Sequence, residues 1–130
     1  MDSRLQKLSN VLTSYSCDLK PGEKVLIDYE GECCRPLVRQ LIKDAYVLGA
    51  RPYVNHRDGV ILREILLGAT EEQIAFLNDY QLFQMQGMDA YIKDMENRAA
   101  IFGRQSGEFE FAEGWVQHNP LGFGPENFNP

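Results

Sequence analysis

The residue types that could do chemistry are concentrated in the segment DYEGECC, Asp28 to Cys34. It carries carboxylates at Asp28, Glu30 and Glu32, followed by adjacent thiols at Cys33 and Cys34. Alternation would place the three carboxylates on one side of a strand, if the strand ran on that far. Paired carboxylates can act as general acid and base, but they need a partner nucleophile or a metal. The other interpretation, a solvated rim of a loop, stays open.

The cysteine pattern does not favour a metal site or an activated nucleophile. Structural zinc sites commonly use four Cys or His ligands in spaced pairs, whereas Cys33 and Cys34 are adjacent and Cys17, His56 and His118 are isolated. A following helix N-terminus would favour a thiolate, but the neighbouring glutamates oppose it. A dinucleotide-binding loop would need several glycines, and this loop has one glycine and three carboxylates. We expect the two thiols to pack at a helix entrance.

A second candidate position follows the next predicted strand. His56 and Arg57 lie there, on the same expected edge of the sheet, and could contact a substrate or a subunit or simply form a capped loop. No complete catalytic constellation is present, so no catalytic residue and no metal ligand is assigned. The candidates for a substrate cavity or an interface are Asp28, Glu30, Glu32, His56 and Arg57.

The spacing of apolar residues predicts the elements that position these side chains. It predicts a helix after Asp2 or Ser3, a buried strand at Lys24–Asp28, a helix from Pro36 to Leu48 ended by Gly49, and a strand at Arg51–His56. A strand–helix–strand unit with short connections gives parallel strands. We therefore expect an α/β fold: a small, mainly parallel sheet of about three strands or more, flanked by helices.

The later elements follow from caps and turns. A third helix is predicted from about Val60 to Gly68 with Asp58 as its cap, and Thr70 and Gln73 form a capping box for a fourth helix. The third strand is predicted at Met88–Ile92, and residues 93–108 could form one helix. We divide the chain into a domain at 1–104 and an acidic tail at 105–130, expected to be loop or disordered.

Charge and composition exclude several classes of function. The net charge is −6: residues 1–104 hold 13 basic and 15 acidic residues, and residues 105–130 hold four glutamates and no Lys or Arg. Nucleic-acid binding needs clustered basic residues, and anionic membranes are disfavoured for the same reason. No apolar run is long enough for a signal or a membrane span. Three cysteines without a framework spacing indicate free thiols in the cytoplasm.

The order of motifs resembles a known family. The run KLSNVLTSYSCDLKPGEKVLIDYEGECCRPLVRQLIKDAYVLGARPYV, followed by LREILLGATEEQIAFLNDY and MDAYI, is similar to the amino-terminal region of the thermophilic metalloaminopeptidases, the aminopeptidase T and aminopeptidase S family. The likeness covers residues 5–92. After Ile92 the chain is expected to depart from the family pattern, which suggests a truncated product or a domain adapted to stand alone.

The resemblance implies a limited role for this chain. Family members are several times longer and hold two divalent metals, zinc or cobalt, on a later domain whose ligand motifs do not occur here. It implies an amino-terminal, non-metal-binding domain of an aminopeptidase, inactive alone, whose full-length form takes peptides and forms a homo-oligomer. The alternative is a stand-alone binding or dimerisation module. A third option is a small-molecule domain that uses the crevice at Asp28–Glu32 and His56.

Overall fold

The computed structural model describes residues 3–94 and 101–104. The helices are α1 (Ser3–Asn10), α2 (Arg35–Val47), α3 (Gly59–Gly68) and α4 (Glu71–Gln86), and the strands are β1 (Lys24–Glu30), β2 (Arg51–Arg57), β3 (Ala90–Asp94) and β4 (Ile101–Arg104). A π-helical turn, Val11–Ser16, continues α1, and a 3₁₀ turn, Glu32–Cys34, leads into α2. The predicted tail at 105–130 lies outside the described residues.

The strands form one sheet in the order β2-β1-β3-β4. β1 is parallel to both β2 and β3, and β4 is antiparallel to β3. The predicted class, an α/β fold with a small and mainly parallel sheet, is therefore confirmed. Val25, Leu26 and Ile27 are buried, as the continuous apolar pattern of β1 predicted. Asp28 is buried as well, so the solvated rim considered for it is wrong.

The helix considered for residues 93–108 is wrong wherever the structure describes that segment. Lys93 completes β3, and Ile101–Arg104 form β4 with backbone pairs that include Ala90 with Arg104. The reason is tertiary: β3 would otherwise leave a row of unpaired N–H and C=O groups at the edge, and β4 satisfies them. Local spacing contains no signal for such a partner.

Arg104 fixes the end of β4 to the turn that precedes β1. Its Nη1 donates to the Cys17 carbonyl at 2.7 Å and to Glu23 Oε1 at 2.9 Å, and Nη2 donates to Glu23 Oε2. This hydrogen bonding, above all, lowers the pKa of Glu23, and Glu23 in turn raises the pKa of Arg104. A two-pronged contact of this kind sets the orientation of both side chains.

The main hydrophobic core lies on one face of the sheet, against α2 and the π-helical turn. Its buried members are Leu12, Cys17, Leu19, Val25, Ile27, Cys34, Leu37, Val38, Leu41, Ala45, Ala50, Ala90 and Ile92. Alternation sends Val25 and Ile27 to this face and Leu26 and Asp28 to the opposite one. The polar residues of β1 are thus separated from the apolar core by the sheet itself.

The first helix is longer than α1 alone because the π-helical turn extends it to Ser16. Cys17 N donates to Leu12 O at 2.9 Å, five residues back, so the regular ladder is broken there. The hydroxyl of Thr13 donates to the carbonyl of Ser9 at 2.9 Å. Ser9 also donates to Asp44 Oδ2 at 2.6 Å, which connects the helix to α2.

The chain reversal at Gly49 aligns the starts of β1 and β2. Gly49 has φ of 80°, the left-handed conformation predicted for the residue after α2. Its carbonyl accepts from Gly22 N at 2.8 Å, and Arg51 N donates to Glu23 O at 2.7 Å. A side chain at position 49 would place Cβ 3.2 Å from Pro21 Cβ. Position 49 therefore needs glycine for both conformation and space.

Residues 58–87 separate from the remainder of the described chain as a compact unit of their own. Both predicted caps are confirmed there: Asp58 Oδ1 accepts from the N–H groups of Val60 and Ile61, and Thr70 Oγ1 accepts from Gln73 N. α3 has no buried residue. None of the helices in the described segments has the length and apolar character to span a bilayer.

Candidate functional site

The best-defined polar contact of the sheet joins two of the predicted site residues, Asp28 and Arg57. Arg57 Nε donates to both carboxylate oxygens of Asp28, at 2.7 and 2.8 Å. The Asp28 side chain is 1% exposed and that of Arg57 is 13% exposed. β1 and β2 run parallel, so their ends lie at the same edge, and the register places these residues on one face. The expectation that Asp28 and Arg57 lie at the same edge of the sheet is therefore confirmed, and their role as cavity or interface residues stays a prediction.

Two further polar residues flank Asp28 and were missed by the sequence analysis. The register pairs Asp28 with Asn55 on β2 and with Lys93 on β3. Lys93 is only 1% exposed although it carries an ammonium group. A single lysine in a short strand suggests a solvent-facing position, and only the pairing with Asp28 shows that it is buried. The signal that could have found it is a lysine on the neighbouring strand, level with an aspartate that ends an apolar run.

Burial dominates the electrostatics of Asp28. It raises the pKa of the carboxyl above its ordinary value, because the charged form loses its hydration. The cations of Arg57 and Lys93 act in the opposite direction and favour the carboxylate. With almost no exposed surface, Asp28 cannot itself reach a substrate. Its role in this geometry is to hold Arg57.

The other three predicted residues do not join this pair in the same way. Glu30 pairs with Arg57 in the strand register and is half-buried. Glu32 lies in the 3₁₀ turn, where it is exposed and paired with Arg35 at 3.2 Å. His56 projects to the opposite face, where its ring stacks on Tyr29 with centroids 4.6 Å apart. The predicted alternation of carboxylates thus holds for Asp28 and Glu30 and ends where the strand ends.

The cysteines have three different environments, and all three are free thiols. Cys34 is buried, and its Sγ donates to the Glu30 carbonyl at 2.9 Å, at the entrance of α2. Cys33 is exposed. Burial raises the pKa of the Cys17 thiol to about 11, so it stays protonated at neutral pH. The expectation that both adjacent thiols pack holds for Cys34 and is wrong for Cys33.

The described residues do not fit a divalent metal. Within residues 3–94 and 101–104, no three His, Cys, Asp or Glu side chains converge on a common point. The sequence-predicted candidates have other partners: Asp28 binds Arg57, Glu32 binds Arg35, and His56 stacks on Tyr29. No chemical step through a metal can be assigned to this part of the chain.

The comparisons with known proteins concern most of the sequence. No protein with a curated description matches it. Among solved structures, wild-type AmpT from Thermus thermophilus is similar, with 26% identity over 65% of this chain and a TM-score of 0.49. The chain spans 22% of the length of that protein. The family model described as thermophilic metalloprotease (M29) matches residues 1–111.

The match bears on two expectations. It extends beyond Ile92, so the predicted departure from the family pattern at that residue is wrong. It also includes Asp28 and Arg57, which places the carboxyl edge of the sheet inside the family region. The resemblance inferred from KLSNVLTSYSCDLKPGEKVLIDYEGECC and the segments that follow is confirmed, and the chain belongs to the thermophilic metalloprotease (M29) family.

Proposed function

We propose that this chain is the amino-terminal, non-metal-binding domain of a metal-dependent aminopeptidase that removes amino-terminal residues from peptides. The observation that supports it is the family match over residues 1–111. The full-length enzyme would use two divalent metals, zinc or cobalt, held by residues other than the described ones, among which no metal-ligating group occurs. The peptide would lie near the carboxyl edge of the sheet, with Glu30, Glu32, His56 and Arg57 as candidates for the cavity wall or interface.

The chain alone is expected to be inactive. Metal-assisted hydrolysis requires a metal with an open position that lowers the pKa of a bound water, and the described residues supply no ligand set for it. The test is release of a chromophore from an aminoacyl substrate by the 130-residue chain, with zinc or cobalt added. The expected result is no turnover above that of the metal alone.

The same samples can be examined for metal binding. Cobalt bound by protein ligands gives a visible absorption band, so a titration reports the site independently of activity. We expect no saturable band. Turnover that a chelator abolishes, or a cobalt band of one or more equivalents, would contradict the proposal that this chain lacks the metal site.

We further propose that the protein works in the cytoplasm. All three cysteines of the sequence carry free thiols, and Cys17 and Cys34 are buried. Thiols in such a small domain persist in a reducing compartment, whereas secreted domains of this size commonly form disulfides. Fractionation of cells that express the intact gene checks the location.

The second candidate function is a dimerisation or binding module without catalysis. One observation favours it: β2 is an edge strand of the sheet, with Tyr53 44% exposed and Val54 40% exposed. An exposed apolar edge is a place for another chain to add. Light scattering over a range of concentrations tests a second copy as the occupant. Dimerisation is supported if the mass of the native chain rises with concentration while the Val54→Lys variant keeps the mass of a monomer. A native chain that stays monomeric at every concentration contradicts dimerisation.

A further inference from the structure

Within residues 3–94 and 101–104, the guanidinium of Arg57 makes hydrogen bonds through one of its three nitrogens. Both contacts with Asp28 come from Nε. Neither Nη1 nor Nη2 has an acceptor within hydrogen-bonding distance among these described residues. The Asp28 contact therefore holds the group, and no described residue occupies the four N–H donors of its terminal fork.

A fixed guanidinium with an available fork is a receptor for a planar oxyanion. The two Nη groups match the two oxygens of a carboxylate in a bidentate contact, which is stronger and more directional than a single ion pair. Asp28 is 1% exposed and has no room to rotate away, so the orientation of Arg57 is set before a ligand arrives. Less side-chain entropy is then lost on binding.

The position of the fork agrees with a ligand site. Arg57 is the last residue of β2, at the carboxyl ends of the parallel strands β1, β2 and β3. Open α/β sheets bind ligands at this edge. The Arg57 side chain remains 13% exposed, so part of it is accessible from solvent.

The charges nearby do not separate a carboxylate from a phosphate, whereas the shape of the fork does. Arg57 and Lys93 contribute two positive charges, and Asp28 and Glu30 contribute two negative ones. Glu30 is directly across from Arg57 in the register. Doubling the charge of a ligand doubles its attraction to the two cations as well as its repulsion by Glu30, because the Coulomb energy scales with the product of the charges. The planar fork matches the two coplanar oxygens of a carboxylate, and this geometry carries the assignment.

We propose that Arg57, positioned by Asp28, forms a binding site for the carboxylate group of a peptide. The carboxylate is either the chain terminus or an acidic side chain, since both present the same two oxygens. That the carboxylate belongs to a peptide rests on the proposed function, whereas the carboxylate contact itself is measured on this chain without metal and without turnover.

The experiment is a titration of the 130-residue chain followed by nitrogen–proton NMR at neutral pH and constant ionic strength. N-acetylglycine represents a chain terminus, N-acetylglutamic acid amide represents an acidic side chain, and N-acetylglycinamide is the uncharged control. We expect saturable shifts at Arg57 Nε–H and the Glu30 amide with the two acids, with affinity on the order of millimolar, and none with the control. The acid that binds more tightly identifies the source of the carboxylate.

Variants of Arg57 distinguish bidentate binding by the fork from a general charge effect. Arg57→Lys keeps the charge and loses the fork, so affinity should fall by about tenfold or more; Arg57→Gln should abolish binding. The matched control is Arg51→Gln, which removes an exposed arginine at the other end of the same strand and should bind as the native chain does. Dispersion of the same spectra reports whether each variant is folded.

Three outcomes would overturn the proposal. The first is no saturable shift in the native chain, or shifts spread over surface amides away from Arg57 and Glu30. The second is equal binding by Arg57→Lys and the native chain, which would leave only a general charge effect. The third is tighter binding of inorganic phosphate than of both acids. The native-chain outcomes decide the question even if neither Arg57 variant folds.

Discussion

At the scale of single residues, Asp28 and Glu32 show that the role of a carboxylate depends on its position in the fold. Both are carboxylates four residues apart, Asp28 in β1 and Glu32 in the following turn, and both bind an arginine. Asp28 is buried between cations on neighbouring strands. Glu32 and Arg35, whose Oε2 and Nη1 atoms lie 3.2 Å apart, are exposed to water. An exposed pair is screened and contributes little, while a buried charge that loses its partner is left without compensation.

The first prediction follows from this contrast. Asp28→Asn removes the carboxylate that accepts both hydrogen bonds from Arg57 Nε, so the largely buried guanidinium loses this charged partner and the free energy of unfolding should fall by about 3–5 kcal/mol. The measurement is urea unfolding followed by circular dichroism. Glu32→Gln is the matched control and should change the free energy of unfolding by less than about 1 kcal/mol. Similar losses in the two variants would show that Asp28 is not held as described.

The part of the site that could be predicted is the part that depends on strand ends. An apolar run ended by Asp28, followed by a second strand predicted to end at His56 next to Arg57, indicated one edge of a parallel sheet. Three other features could not be predicted from local sequence. The burial of Lys93 depends on the register between β1 and β3, and the placement of His56 on the opposite face depends on where β2 begins. The hydrogen bonds from Arg57 Nε to Asp28 depend on side-chain geometry.

At the scale of elements, the turn around Gly49 and the attachment of β4 each depend on one residue. The second prediction concerns the turn. Gly49→Ala forces a side chain into φ of 80° and places Cβ 3.2 Å from Pro21 Cβ, so the free energy of unfolding should fall by about 1–2 kcal/mol. Gly68→Ala is the control, because nothing lies within 4 Å of a Cβ there; as a helical position it should be neutral or gain up to about 1 kcal/mol. Thermal unfolding compares them, and an undisturbed Gly49→Ala would contradict the described turn.

The third prediction concerns β4 and pH. The hydrogen bond from Arg104 lowers the pKa of Glu23 below its ordinary 4.5. A carboxyl whose pKa is lower in the folded state adds stability at pH values above the ordinary pKa, and the addition is lost as pH falls through the folded pKa. Glu23→Gln should therefore be less stable than the native chain at neutral pH by about 1 kcal/mol. The difference should shrink below the ordinary pKa of Glu23 and vanish as pH falls through the lower pKa of the folded state.

The measurement for Glu23 is a series of urea unfolding curves at decreasing pH. Glu64→Gln, an exposed change on α3, is the control and should run parallel to the native chain throughout. A constant difference between Glu23→Gln and the native chain at every pH would show that the effect arises from packing and not from the ion pair with Arg104.

Element boundaries were most predictable where a local device marks them. Asp58 and Thr70 accept hydrogen bonds from the first N–H groups of α3 and α4, and Gly49 takes the left-handed conformation after α2. The π-helical turn and β4 could not be anticipated. The π-helical turn ends the helix with a hydrogen bond between residues five apart in sequence. β4 pairs with the edge of β3, which local sequence does not reveal.

At the scale of the whole molecule, the described chain divides into two compact units that differ in burial. The unit with the sheet has a continuous core, and β1 is its central buried strand. In the other unit α3 has no buried residue, and Val60 is 73% exposed. Local stability follows the burial of side chains and hydrogen bonds, so the two units should open at different rates.

The fourth prediction is a difference in amide hydrogen exchange. Amides of β1 should exchange only with global unfolding, whereas those of α3 should exchange at least about 100-fold faster through local opening. Mass spectrometry of peptides after timed exchange measures both in one sample. Equal protection of α3 and β1 would mean that α3 is covered in solution, by a second copy or another part of the protein, and repeating the experiment at lower concentration separates these.

The strand order β2-β1-β3-β4 also makes the nascent chain prone to association with other chains. β1 and β2 are synthesised with only α2 between them, so they can pair early, but the other side of β1 waits for β3, which follows α3 and α4. During that interval β1, with its apolar Val25, Leu26 and Ile27, presents unpaired backbone groups to its surroundings, and such edges join other chains. Binding of a chaperone to Lys24–Glu30 while α3 and α4 emerge would therefore raise the yield of folded protein more than binding at any later stage.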